Sequence, residues 1–347
     1  MKIKDIGTVV TGKTPATSHA EFYDGDYMFV TPTELHGGYK VSASEKTITD
    51  AGLRSIKSNM ISGISVLVGC IGWDMGNVAM CFEKCATNQQ INSVTRIKDS
   101  FNPYYLYYWL STKKDYLFSI ASVTRTPILS KGVFEEIEIP NIDRLEQDKI
   151  SKILLSLDQK IEYNAAVNDN LAEMAYTTYM HLFFGRKANG KIGDILIENP
   201  KSSIQVGSAK ETTGDYPFFT SGDAILEWSE PLIAGRNLYL NTGGNAGLKF
   251  YVGEAAYSTD TWCITAQEDL SDYLYLLLES IKSEISQKFF QGTGLKHLQK
   301  PMLKDRAIYI PSASEISSFN ESVMPWFTMI SDNIRESRQL TALRDWL

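Results

Sequence analysis

One pattern is written twice along the chain, and this limits the possible folds more than any other feature. Ile6-Gly7 opens the first half, and Ile192-Gly193-Asp194-Ile195 opens the second. Gly25-Asp26-Tyr27-Met28-Phe29-Val30-Thr31 is echoed by Gly214-Asp215-Tyr216-Pro217-Phe218-Phe219-Thr220. Gly76-Asn77-Val78 returns as Gly244-Asn245-Ala246, and Tyr104-Tyr105-Leu106-Tyr107-Tyr108-Trp109-Leu110 as Tyr273-Leu274-Tyr275-Leu276-Leu277-Leu278. Ile137-Glu138-Ile139-Pro140 returns as Ile308-Tyr309-Ile310-Pro311. The order is the same in both halves. At 347 residues the chain has room for two domains, so it reads as two versions of one unit.

Within each half, short β-type runs are separated by Gly, Asn and Asp turns. In the first half they fall at 27–30, 65–71, 78–82 and 91–97, followed by a helix over 102–116 and a last run at 136–139. Strands do not alternate with long helices, so an α+β fold with mostly antiparallel strands is expected, not a doubly wound sheet. With 43% apolar and 22% charged residues, the chain is globular. The predicted domains are 1–143 and 192–312, followed respectively by helical segments at 144–191 and 313–347.

The segment from Arg144 to about His181 contains no Gly or Pro. Ile150, Leu154, Leu157 and Ile161 recur at three- and four-residue steps, and Asn164 and Asn168 share the stripe before Leu171 resumes it. Asn on such a seam costs stability and fixes register. The C-terminal segment repeats the design with Ile316, Phe319, Val323, Phe327, Ile330 and Ile334, interrupted by Pro325. The expected arrangement is an antiparallel coiled coil of these two helices. The competing arrangement docks each helix on its own domain.

Several other readings have weaker support in the residues. The N-terminus, with Asp5 inside it, is not a signal peptide, and no apolar run reaches the ~18 residues of a membrane span. A cytoplasmic protein is expected. Cys70, Cys81, Cys85 and Cys263 lack the companion ligands of a zinc site and read as buried reduced thiols. Gly7 to Thr14 matches the phosphate-loop signature, but Thr-Val-Val-Thr reads as strand and Pro15 disfavours a helix starting at Thr14. Phe101-Asn102-Pro103-Tyr104 resembles a methyltransferase motif, yet Asn102 as helix cap and Pro103 at the first helical position is the stronger reading. No catalytic constellation remains.

What remains is polar loop clusters at matching places in the two halves. The first half offers Lys13 and Thr14, Trp73 and Asn77, Asn88-Gln89-Gln90, Lys113 and Lys114, and Thr124-Arg125-Thr126. The second offers Thr220 and Ser221, Asn241 and Asn245, Thr259, and Thr293 with Lys296, His297 and Lys300. Asn, Gln, Arg and Lys read base edges, while hydroxyls and backbone N–H groups hold phosphates, so these are the candidate DNA-binding residues.

The layout resembles the specificity subunit of type I restriction–modification systems. The resemblance rests on Ile137-Glu138-Ile139-Pro140, Leu145-Glu146-Gln147, Ile150, Leu157-Asp158-Gln159-Lys160-Ile161, Asn164, Asn168 and Leu171. Gly12-Lys13-Thr14-Pro15 resembles a step near the start of that family's recognition domains. The second half departs from the pattern, with Ser312-Ala313-Ser314-Glu315 after its Ile-Pro step.

The resemblance implies that each domain reads one half of a bipartite, asymmetric double-stranded DNA site. The paired helices would set the spacing; a helix of about 38 residues spans roughly 57 Å. Two methyltransferase subunits would dock on them and bring S-adenosylmethionine, nuclease–translocase subunits would join, and this chain would bind no cofactor and perform no catalysis. The alternatives are a phosphate-loop nucleotide-binding protein and a stand-alone DNA-binding or scaffold protein.

The net charge of −7, from 34 Lys and Arg against 41 Asp and Glu, opposes a protein that coats nucleic acid by itself. Residues 1–143 hold 14 basic and 15 acidic side chains, and residues 192–312 hold 10 and 15. The chain is therefore expected to grip DNA weakly until its partners add positive surface.

Overall fold

The computed structural model describes residues 1–123 and 125–347 and divides into two compact units, Met1–Lys160 with Leu340–Leu347, and Ile161–Gln339.

In the first unit the strands are β1 (Thr8–Thr11), β2 (Tyr23–Val30), β3 (Lys46–Ile48), β4 (Met60–Ile61), β5 (Ser65–Gly69), β6 (Val78–Cys81), β7 (Cys85–Thr87) and β8 (Ile91–Thr95). One antiparallel sheet has the order β1-β8-β5-β6, and a second has β3-β2-β7-β4, in which β2 and β7 are parallel. Every residue of β5 is buried because the strand separates two cores. Alternate side chains point to opposite faces, so Val66 and Val68 join the cluster of Ile3, Leu106 and Phe134, while Leu67 joins Val30, Ile61 and Ile91. Asn102 caps the helix Pro103–Ser111, its Oδ1 accepting from the Tyr104 and Tyr105 N–H groups at 2.8 and 3.2 Å. The capping reading of that motif is the one the fold uses.

The second unit repeats this topology. Its antiparallel sheet runs in the order Leu196–Glu198, Thr261–Ala266, Arg236–Asn241, Leu248–Val252, and Tyr216–Phe219 pairs in parallel with Ala256–Tyr257. The Ile-Pro runs close each unit onto its own start: the Ile3 N–H donates to the Ile137 carbonyl at 3.1 Å, and Ile308 pairs with Gly190. One echo is displaced. The Asn77 carbonyl accepts from Gly69, whereas the Gly247 carbonyl accepts from Asn241, so Asn77 aligns with Gly247 and not with Asn245. The link between these strands is two residues longer in the first domain.

The central helix, Arg144–Leu182, is continuous over 39 residues. In the first unit its buried line is Gln147, Ser151, Leu154 and Asp158. Of the expected stripe only Leu154 fits this line; Ile150 is 36% exposed and Leu157 is half-buried. The buried line sits one residue further along because its polar members have partners: Gln147 Oε1 accepts from the Asn102 N–H at 2.8 Å, and Asp158 accepts from Tyr108 and Arg344.

In the second unit the helices pair antiparallel through the asparagines. Asn164 Nδ2 donates to Glu336 Oε2 and Ser337 Oγ at 2.8 and 3.1 Å, and Asn333 Nδ2 donates to Asn168 Oδ1 at 2.8 Å. Ile161 and Leu171 flank this seam half-buried. The apolar stripe of the C-terminal helix, Ala313–Trp346, serves chiefly its own domain. Phe319, Val323 and Phe327 lie in the domain core, with Ile330 packed against it; Phe327 stands 5.0 Å from the Phe250 ring. Ile334 packs on the Tyr239 and Tyr251 cluster, and Phe319 also meets Phe183, the residue just after the central helix, at 5.2 Å. The two expected arrangements thus coexist: polar pairing between helices and apolar docking on the domain.

Ser312-Ala313-Ser314-Glu315 forms a capping box, with the Ser312 N–H donating to Glu315 Oε2 at 2.9 Å. That bond, with Tyr309, the Ser312 hydroxyl and Arg186, holds the Glu315 carboxyl down at about 2. A lowered acid stabilises the fold above its ordinary value of 4.5 and loses that contribution as pH falls toward 2. Glu315→Gln is therefore expected to lower the melting temperature at pH 7. The gap to wild type should close between pH 4.5 and 2 in thermal unfolding followed by circular dichroism.

Among the described residues no helix is long and apolar enough to cross a membrane, and the four cysteines are buried and unpaired.

Candidate nucleic-acid interface

At one end of the first domain's sheet, β1 stops at Thr11, β8 begins at Ile91, β5 stops at Gly69 and β6 begins at Val78. The pairings Thr11↔Asn92, Gly69↔Ile91 and Val68↔Val78 place these ends side by side, so the loops leaving them converge. The Lys13 N–H donates to the Thr87 carbonyl at 2.9 Å, the Cys70 N–H to Gln90 at 2.7 Å and the Gly72 N–H to Pro127 at 3.0 Å. This brings together Lys13 and Thr14, Asn88 to Gln90, Trp73, and the hairpin of Ser122–Val123 with Pro127–Ile128 that carries Arg125 and Thr126. Thr124 lies outside the described residues.

The same backbone bonds disqualify the phosphate loop. Residues 8–11 are strand, and the Gly12 and Lys13 amides that would face phosphates are bound to Ile91 and Thr87. A Cβ on Gly12 would lie 2.1 Å from the Asn88 carbonyl oxygen, so this glycine serves close packing of two loops.

The side chains divide into those presented at this end and those engaged by neighbouring side chains. Thr14 Oγ1 donates to Gln89 Oε1 at 3.0 Å, and Asn88 Nδ2 donates to Gln90 Oε1 at 2.8 Å, which fixes a row of polar groups beside exposed Lys13. A polar cleft of about 460 Å³ adjoins it, lined by Thr31, Glu34, Lys46, Asn88 and Gln90 among others. Arg125 is exposed and has no ion-pair partner among the described residues. Asn77 and Lys114, by contrast, are engaged at the surface by Asp74 and by each other. Lys114 Nζ sits 2.7 Å from Asp74 Oδ1 and 2.9 Å from Asn77 Oδ1, while Asn77 Nδ2 returns to the Asp74 carbonyl at 2.9 Å. Their role is to brace the loop. Lys113 lies over the Trp109 ring at 5.4 Å, apart from this row.

The second domain gathers the corresponding loops. The Thr242 N–H donates to the Asp260 carbonyl at 3.2 Å, and the Ser221 hydroxyl bonds to that same carbonyl. The Gly244 N–H donates to Lys296 at 2.9 Å, and Gly243 bridges to His297. Ser221, Thr259, Lys296 and His297 therefore share one end, with Asn245 and Thr293 exposed at its loops. Thr220 and Asn241 are buried and drop out as readers; Thr220 Oγ1 donates to the Ala224 carbonyl and Asn241 Nδ2 to that of Asn245. Lys300 is drawn to Glu198 at 3.6 Å and lies 4.5 Å over the Trp262 ring, where burial pushes its ammonium down. Lys304 also binds Glu198.

One candidate escaped sequence reasoning. Lys201 is exposed beside Lys300, just after the strand Leu196–Glu198, as Lys13 follows β1. The signal was the repeat register, which only the strand pairings establish.

Two copies of one α+β domain, each with polar loops gathered at one sheet end, define a tandem recognition protein. The family model for the type I restriction modification DNA specificity domain matches residues 1–173 and again 187–320, and the chain belongs to that family. It is 25% identical over 405 aligned residues to the type I restriction enzyme MjaIX specificity subunit of Methanocaldococcus jannaschii, covering 100% of this chain and 90% of that one. It is 30% identical over 195 residues to the HindI specificity subunit of Haemophilus influenzae, covering 55% of this chain and 40% of that one. The fold is similar to the crystal structure of the type I restriction–modification S subunit from M. genitalium, with a TM-score of 0.63 at 15% identity, over 100% of this chain and 93% of that one.

Proposed function

We propose that this chain is the sequence-reading subunit of a type I restriction–modification complex, in which each domain reads one half of a bipartite, asymmetric DNA site. The observation that carries this reading is the same loop constellation, on the same sheet end, with different side chains in the two copies. Asn88-Gln89-Gln90 stands in one copy where Ser258-Thr259-Asp260 stands in the other, so one fold presents two different hydrogen-bond patterns.

The paired helices set the spacing and carry two methyltransferase subunits, which bring S-adenosylmethionine and methylate adenine; nuclease–translocase subunits join for restriction. In the first unit, Leu145 and Ile153 stand 74% and 56% exposed on the central helix, an apolar surface suited to such docking. This chain itself supplies recognition and assembly, without a cofactor of its own, and the partners supply much of the positive surface that its charge of −7 lacks.

The test is to co-express the chain with its cognate methyltransferase and map methylated adenines. Two half-sites at fixed spacing are expected; unmodified DNA despite a formed complex would overturn the reading. Within that assay, Arg125→Ala is expected to weaken discrimination at the first half-site by roughly 5- to 150-fold, the effect of one base contact of about 1–3 kcal/mol, and to leave the second half-site unchanged. An equal loss at all sequences would instead assign Arg125 to phosphate.

A further inference from the structure

We infer that Trp73 is an apolar DNA contact of the first domain, its indole packing against an exposed base surface of the first half-site. The inference rests on the proposed reading and adds a residue type that hydrogen-bonding schemes leave out. Trp73 is 70% exposed, an unusual position for an indole, with the Phe118 ring beside it at 6.2 Å. It stands among the readers: Gly72, its neighbour, bonds to Pro127 of the Arg125 hairpin, and Cys70 bonds to Gln90.

The loop holding Trp73 is built to be rigid. Asp74 receives Lys114 Nζ at 2.7 Å, Asn77 Nδ2 at 3.2 Å and His36 Nε2 at 3.1 Å. Gly76 has φ +95°, and a Cβ there would lie 2.8 Å from Lys114 Cγ and 3.1 Å from its Cα, so the helix end presses directly on the loop. An exposed aromatic on a braced loop loses little conformational freedom on binding, which favours its use as an anchor. Lys114 holds the Asp74 carboxyl below its ordinary range and cancels its charge, so the nearest acid does not repel phosphate. Exposed Lys13 and Arg125 flank the same end, which favours a polyanion over another protein surface. The shorter link of the second domain carries no aromatic: Asn241-Thr242-Gly243-Gly244-Asn245-Ala246-Gly247.

On duplex DNA the apolar base surface is either a thymine methyl in the major groove or the face of a partly unstacked base step. The test uses the chain assembled with its methyltransferase subunits and duplexes carrying the mapped site. Trp73→Ala is expected to weaken specific binding on the order of 10- to 100-fold without changing the salt dependence, because no charge is removed, and Trp73→Phe is expected to restore most of it. Replacing thymine by uracil in the first half-site identifies a methyl contact if it reproduces the loss. Brightening of 2-aminopurine with wild type but not with Trp73→Ala identifies an opened step.

Trp73→Ala binding within twofold of wild type would overturn the inference, as would a variant that no longer assembles with the methyltransferase, which would make Trp73 a protein contact. A wild-type complex with no site preference would instead sink the functional reading beneath it.

Discussion

Replacing Asp158 with alanine is expected to lower the stability of the first unit by about 3 kcal/mol, measured by denaturant unfolding. Asp158 is 4% exposed on the central helix. Its Oδ2 accepts from the Tyr108 hydroxyl at 2.7 Å, and its Oδ1 from Arg344 Nη1 at 2.7 Å, tying the domain's own helix and the chain's last turn to one carboxylate. Removing it strands a buried hydroxyl and a guanidinium that is only 26% exposed. Burial and this carboxylate also push the Tyr108 hydroxyl well above its ordinary value, so it remains a donor at any physiological pH. Tyr108→Phe, which removes one neutral donor, should cost only about 1 kcal/mol. Hydrogen exchange over residues 340–346 should rise in Asp158→Ala and stay low in Tyr108→Phe. Equal protection in both variants would mean that the last turn is held by other contacts.

Arg236→Met is the second large effect, expected to cost about 3–4 kcal/mol at neutral pH. Arg236 meets the fully buried Asp272 carboxylate through Nε and Nη2, both at 2.6 Å. It also donates to the Met324 carbonyl at 2.9 Å and to Thr328 at 3.1 Å, both on the C-terminal helix. Burial already pushes Asp272 up, with Arg236 opposing that rise. Without the arginine the carboxyl moves higher still. A raised acid contributes most when protonated, so the penalty should shrink as pH is lowered from 7 toward 4. Arg236→Met combined with Asp272→Leu should recover part of the loss, since the uncompensated charge is then gone. A penalty independent of pH would show that lost packing, not the buried charge, dominates.

These two carboxylates were not among the residues that the sequence singled out for pairing or recognition. Asp158 falls in the run that carries the family resemblance, but helical periodicity alone does not distinguish its environment from that of Asp148 or Asp169 on the same helix. Its burial follows from Tyr108 and from Arg344, the latter 186 residues away. The candidate interface divides in the same way. Polar loops at matching places in both halves were legible, and the strand register does bring most of them together. Which side chains stay available was not. Asp74 takes Asn77 and Lys114, Glu198 takes Lys300, and Thr220 and Asn241 are turned inward. Each is a choice between water and a neighbour from a distant segment, and pattern alone cannot rank those neighbours.

By itself, the sequence determined the twofold repeat, the α+β class, the two long helices and the capping role of Asn102. These depend on periodicity, turn residues and local hydrogen bonds, which act over a few residues. Tertiary structure decided that the helices pair through Asn164 and Asn168 while Phe319, Val323 and Phe327 dock on their own domain. It also decided that the buried line of the central helix includes Ser151 and Asp158, and that Trp73 is left in solvent on a braced loop. The physical reason is that an apolar or polar side chain has a preference but not an address. Burial is assigned by whichever partners the fold brings within reach, and those partners lie far apart in the chain.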